Sequence, residues 1–139
     1  MSAECFLDTD ILVYAVSALE EDASKKAGAL DLIQTADFGL SSQVLQEFWV
    51  TVTRKIKKPL SPEVALQLLD QYRLFPTAHT DYALILTAIE YSLRYEISYW
   101  DGAIVAAAEA LEAPVLYSED LSHGQYYGST QVINPFLNI

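Results

Sequence analysis

Four acidic residues of this chain stand where a carboxylate is costly unless something holds it. Asp8 ends the apolar run Cys5-Phe6-Leu7, and Glu47 sits inside the helical stretch Val44 to Val52. Asp101 follows Tyr99-Trp100 and opens the apolar stretch Ala103 to Ala110, while Asp120 closes Val115-Leu116-Tyr117-Ser118. Hydrophobic neighbours draw these groups inward, where an unpaired charge is expensive. With 19 acids against 8 Lys plus Arg, cations are too few to pair every carboxylate. Without a cysteine or histidine cluster, an oxygen-only set selects a hard divalent ion such as Mg²⁺ or Mn²⁺. Carboxylates gathered closely repel one another and titrate as a group unless such an ion relieves them. The chemistry that follows is phosphoryl chemistry: a metal-activated water attacking a phosphodiester in line.

Each acid also has an ordinary explanation. Asp8 with Thr9-Asp10 can cap a helix, Asp101 can satisfy first-turn amides, and Asp120 can make an Asx turn ahead of Gly124. Glu47 can be a glutamate at the margin of a buried stripe. The convergent reading needs all four to reach one place, which depends on the elements between them.

Those elements alternate. Strands are expected at Ala3–Leu7, Phe38–Ser41, Val115–Ser118 and Gln131–Ile133, with a further edge strand at Leu74–Pro76. Helices are expected at Ile11–Leu19, Ser24–Ala36 with Ser24 as cap, Ser42 to about Lys57 with Ser42 as cap, and Ser61 to Tyr72. Ser61-Pro62-Glu63 is a strong start, with a capping hydroxyl and then proline at the first helical position. Two more helices run from Asp81 to Tyr95 and from Ser98 or Tyr99 to about Leu111. Short apolar strands alternating with helices imply an α/β fold, a three-layer α/β/α sandwich around a short, mainly parallel sheet. In such sheets ligands sit beyond the carboxyl ends of the strands, where Asp8 and Asp120 fall. Residues 1–139 read as one domain.

At 52 % apolar and 19 % charged, the composition excludes a disordered chain. A lone cysteine, Cys5, and the lack of a leader or a spanning apolar run suggest a cytoplasmic protein away from membranes. The net charge of −11 argues against nucleic acid as partner, yet half the cations, Arg54, Lys55, Lys57 and Lys58, fall within five residues. Two readings of that patch stand: a seat for a phosphate backbone, or a helix end whose cations face water.

The stretches Phe6-Leu7-Asp8-Thr9-Asp10-Ile11-Leu12-Val13-Tyr14, Ser41-Ser42-Gln43-Val44-Leu45-Gln46-Glu47-Phe48, Ser98-Tyr99-Trp100-Asp101-Gly102-Ala103-Ile104-Val105-Ala106-Ala107-Ala108 and Leu116-Tyr117-Ser118-Glu119-Asp120-Leu121, in this order, resemble a PIN-domain nuclease of the VapC toxin type. The tail from Gly124 to Phe136 is also similar to that family's ending. The resemblance implies Mg²⁺- or Mn²⁺-dependent hydrolysis of RNA, with Asp8, Glu47, Asp101 and Asp120 as metal-binding acids. It gives Ser118 the place of a hydroxyl that orients a carboxylate or a metal-bound water. It implies a homodimer neutralised by a small antitoxin that inserts a basic residue.

Position 10 departs from the family, which usually has asparagine there; Asp10 is expected to cap the first helix. Glu119 should turn away from Asp120 by alternation. His123 and His79 are expected to be incidental or structural, and Trp49, Tyr99 and Trp100 to be core or interface, with base stacking as the other reading; Tyr126 and Tyr127 are similarly open. Asp8-Thr9-Asp10 also resembles the nucleophile and acid pair of haloacid-dehalogenase phosphatases. A PIN-like module that binds without cutting is the third reading.

Overall fold

The computed structural model describes residues 1–138. Its strands are β1 (Cys5–Leu7), β2 (Phe38–Ser41), β3 (Thr77–Ala78), β4 (Val115–Tyr117), β5 (Tyr126–Tyr127) and β6 (Thr130–Ile133). Its helices are α1 (Thr9–Ala15), α2 (Ala23–Thr35), α3 (Ser42–Val50), α4 (Pro62–Tyr72), α5 (Tyr82–Tyr95) and α6 (Tyr99–Ala110). The sheet runs β3-β2-β1-β4-β6-β5, parallel throughout except for the antiparallel β5–β6 hairpin. Helices flank it in the three-layer arrangement expected of the alternating pattern. Phe6, Leu7, Phe38, Leu40, Leu116 and Val132 are completely buried, as strands covered on both faces require.

From β1 the chain steps outward through β2 to β3, then returns past its starting strand to place β4 on the other side of β1. The strand order therefore reverses between β1 and β4. A crevice opens at such a reversal, because the connections leaving the two strands diverge. Asp8 and Ser118 are the residues that leave those strands.

The long return from β3 to β4 is made by α5 and α6, packed closely together. Residues 102–108 of α6 are all buried, and Gly102 makes the approach possible. A Cβ there would stand 2.5 Å from the Ala88 carbonyl oxygen of α5. Asp101 is thereby fixed at the start of a helix that touches β2, β3, β4 and β6.

Several local expectations are corrected. The first helix spans 9–15 rather than 11–19, because Asp8 itself is the N-cap, and a 3₁₀ turn follows at Glu20–Asp22. The cap of α3 is Ser41, whose hydroxyl accepts from the Val44 amide at 3.2 Å; Ser42 is the first helical residue instead. Helix α2 begins at Ala23, so Ser24 is not its cap. Helix α3 gives way to a π turn over Thr51–Lys55, so the basic run is not a regular helix end. The edge strand lies at 77–78, because Pro76 offers only its carbonyl, which accepts from the Leu40 amide at 2.8 Å. Strand β5 was not expected; Gly128, at φ +59°, supplies the left-handed backbone its hairpin turn requires.

Candidate metal centre at the strand-order reversal

Asp8 follows β1 with extended backbone and is 6 % exposed. One carboxylate oxygen accepts from the Thr9 amide at 2.7 Å, and the other accepts from the Ser118 hydroxyl at 2.8 Å. Ser118, fully buried just after β4, in turn accepts from the Asp120 amide at 3.1 Å. One hydroxyl thus ties the end of β1 to the end of β4 and sets the backbone that carries Asp120.

Asp10 reaches across the same reversal. Its Oδ2 accepts from the Glu119 amide at 2.9 Å, while its Oδ1 is buried without a donor among the described residues. The expected helix cap is therefore corrected: Asp8 caps α1, and Asp10 faces β4. Oxygens of Asp8, Asp10 and Asp120 all lie within 4.8 Å of one another, a separation at which three carboxylates can share one ion. Glu47, on the second turn of α3, accepts from the Thr9 hydroxyl at 2.8 Å. Asp101 lies in the first turn of α6, where its amide donates to the Ser98 hydroxyl at 3.0 Å. Glu47 and Asp101 line the same cavity, of about 740 Å³, as the tight trio. The four acids singled out in the sequence are brought to one place, and a fifth, Asp10, is added to them.

The electrostatics follow from burial and crowding. Burial pushes Asp8 up to about 7, opposed by its bonds from Ser118 and Thr9 and reinforced by Asp120 and Glu47. Burial, and next the Asp8 charge, pushes Asp10 up to about 8. Asp101 and Asp120 are also raised, by burial first, then by Glu47 in one case and by Asp101 and Glu119 in the other. The four ion pairs among the described residues are Lys25–Glu119, Lys57–Glu21, Arg73–Asp70 and Arg94–Glu90. None of them neutralises the five acids. Three carboxylates with oxygens this close, one of them carrying an orphaned oxygen, are the donor set that a hard divalent ion fits.

Glu119 behaves differently. It points to Lys25 at 2.5 Å and accepts from the Tyr14 hydroxyl at 2.6 Å. Burial raises its pKa, but those two donors outweigh that and leave it lowered. Its charge is thus taken up by Lys25 and Tyr14, although it lines the same cavity as Asp120, so alternation alone does not separate the two.

The basic run divides. Lys55 and Lys58 line the cavity, whereas Lys57 pairs with Glu21 at 3.4 Å and Arg54 is outside the lining. Trp100 also lines it and is 63 % exposed, which leaves the interface and stacking readings and removes only the core one; Trp49 and Tyr99 pack against the core. His123 accepts from the Asn134 amide at 3.0 Å, and His79 meets the Ser42 hydroxyl at 3.2 Å, both as structural contacts. Tyr127 is buried and Tyr126 exposed.

Comparisons with known proteins agree with this topology. VapC20 of Mycobacterium tuberculosis, described as a sarcin–ricin loop cleaving toxin, aligns with a TM-score of 0.65 at 20 % identity, over 84 % of this chain and 89 % of that one. FitAB bound to an IR36 DNA fragment aligns at 0.68 and 17 % identity, over 94 % of each chain. VapBC2 from Rickettsia felis, bound to a DNA fragment from its promoter, aligns at 0.62 and 21 %, over 92 % of this chain and 96 % of that one. At these identities the likeness speaks for the fold. No curated protein matches the sequence. A family profile described as PIN domain matches residues 5–128, which leaves the phosphatase reading of Asp8-Thr9-Asp10 without its fold. The chain belongs to the PIN domain family.

Proposed function

We propose that this protein is a metal-dependent endoribonuclease that hydrolyses RNA phosphodiester bonds, and that it serves as the toxin of a toxin–antitoxin pair. The observation that carries this reading is the gathering of uncompensated carboxylates at the β1/β4 reversal of a PIN domain. Asp8, Glu47, Asp101 and Asp120 are the residues assigned to hold Mg²⁺ or Mn²⁺. When bound there, such an ion supplies an acidified water and polarises the phosphoryl oxygens.

The chain's own residues prepare that site. The Ser118 hydroxyl donates to the Asp8 carboxylate and accepts from the Asp120 amide, so the two acids that follow β1 and β4 keep a fixed relation. Thr9 holds Glu47 and limits its rotamers. Lys55 and Lys58 line the cavity and offer backbone phosphates a cationic edge in an otherwise acidic protein. The exposed Trp100 offers a base a stacking face worth about 1–3 kcal/mol. Arg54 and Lys57 lie farther out, so their part in binding RNA is electrostatic at most.

The partners are part of the same proposal. An apolar stripe on α5, formed by Tyr82, Leu86, Ile89 and Leu93, stands exposed at helical spacing and suits a homodimer. A small antitoxin that places a basic side chain among the free acids would complement their charge. VapC20 is described as cleaving the sarcin–ricin loop, and VapBC2 as bound to promoter DNA; for this chain we carry over the reaction class and the antitoxin, not the target.

The test is RNA cleavage with Mg²⁺ or Mn²⁺, with chelator, and with Asp8→Asn, alongside a generic phosphomonoester. Metal-dependent RNA cutting that Asp8→Asn abolishes is expected. Intact RNA with folded, metal-loaded protein overturns the proposal in favour of a binding module, and turnover of the phosphomonoester alone overturns it in favour of a phosphatase.

A further inference from the structure

We infer that Asp10 is an additional metal-holding residue, sharing the ion with Asp8 and Asp120; this rests on the metal-dependent reading proposed above. The N-cap of α1 is already supplied by Asp8, so helix initiation does not need a carboxylate at position 10. The Glu119 amide needs an acceptor at 2.9 Å, and a neutral amide side chain would serve it as well as a carboxylate. Neither contact accounts for the charge.

The second oxygen does. Oδ1 of Asp10 is buried and meets no donor among the described residues, a state that costs free energy for a neutral group and more for a charged one. The Asp10 carboxylate stands with those of Asp8 and Asp120, one oxygen of each within 4.8 Å of the others, and these neighbours add repulsion instead of relief. The nearby cation is committed elsewhere: Lys25 is bonded to Glu119 and to the Tyr14 hydroxyl. That commitment serves Asp10 indirectly, because it anchors the side chain of the residue whose amide holds Oδ2. One oxygen is thus pinned, and the other is left without a donor in a carboxylate that stands among acids. Glu47 is engaged by Thr9 and lies outside the tight trio, as does Asp101. The geometry therefore ranks Asp10 ahead of both as a direct partner of the ion.

Asp10→Asn separates the two roles, because asparagine keeps an acceptor for the Glu119 amide and removes the charge. Calorimetric titration with Mn²⁺ should show affinity weakened by at least about ten-fold, the lower end of what losing even a supporting partner of a metal ligand costs. The metal-free variant should melt at the same temperature as wild type or higher. Unchanged Mn²⁺ affinity in a folded Asp10→Asn overturns the inference, whatever the RNA assay shows. Should the variant not fold, anomalous scattering from wild-type crystals soaked with Mn²⁺ decides the matter: a peak bonded to a carboxylate oxygen of Asp10 supports it, and one bonded only to other acids overturns it. Wild type that binds no Mn²⁺ at all removes the proposed function along with this inference. Wild type that binds Mn²⁺ and cuts RNA, beside an Asp10→Asn variant of equal affinity, removes only the inference.

Discussion

Glu119 and Asp120 are adjacent in the chain and opposite in circumstance. Lys25 and Tyr14 clamp Glu119 and leave its pKa lowered, whereas Asp120 faces other acids and is raised by burial, Asp101 and Glu119. The same contrast holds between Glu119 and Asp10, whose carboxylate accepts the Glu119 amide. An acid that has found a cation is structural and closed to further business. An acid that has found only other acids is left without a countercharge. The neighbours decide the role, not the residue type.

The contrast predicts its own largest effect. Replacing Asp8 or Asp120 by asparagine should lower RNA cleavage on the order of 10³-fold or more, since several kcal/mol of transition-state charge stabilisation is removed. Glu119→Gln, one residue away, should cost less than about ten-fold, in keeping with the roughly 1 kcal/mol ceiling on a partly exposed ion pair. Equal losses at positions 119 and 120 would erase the distinction. Single-turnover cleavage rates measure both.

Stability against pH should separate the two regions next. Asp8 and Asp10 have folded pKa values of about 7 and about 8, above the ordinary carboxylate range. Their protonated forms therefore favour the fold, so metal-free protein gains stability as pH falls from 8 towards 5 and loses it on the way back up. Glu119, lowered when folded, has the opposite sign and loses its contribution only in more acidic solution, as pH falls through its depressed folded pKa. Thermal melting in chelator should show a rise of a few degrees on acidification from pH 8 to pH 5. Mn²⁺ should flatten or reverse that trend, because ion binding favours deprotonated ligands. A flat metal-free profile would mean that the carboxyls do not crowd one another.

The smallest expected effect concerns the cations. Neutralising Lys55 and Lys58 should reduce the salt dependence of RNA binding by about 0.7 in log–log slope per lysine, the value for single strands. Neutralising Arg54 and Lys57 should change it less, because the first lies outside the cavity lining and the second is paired with Glu21. Equal changes from both pairs would restore the patch to a single unit.

Much of this was legible in the sequence because the deciding signals were local. The apolar runs ending in Asp8 and Ser118, the capping serines and Ser61-Pro62-Glu63 set the strands and most helices within a few residues. The four acids could be named because each interrupts an apolar context. What stayed hidden depends on contacts between distant positions. Asp10 reads as a cap until the Glu119 amide, 109 positions away, turns it towards β4. Ser41 rather than Ser42 caps α3, a one-residue shift that β2 pairing with β3 decides. The π turn at Thr51–Lys55 divides a basic run that looked continuous. Strand β5 carried a weak signal, a glycine between two β-favouring stretches, and two residues are too few for periodicity to speak.

With Asp8 and Asp10 raised to about 7 and about 8, the buried carboxylates at the strand reversal should retain protons that a divalent ion displaces. Calorimetric titration of the wild-type protein with Mn²⁺ at pH 7, repeated in buffers of different ionisation heat, measures that displacement directly. Release on the order of one proton per ion bound, falling away by pH 9, is the predicted result. Binding whose heat is the same in every buffer, or no binding, would contradict the account.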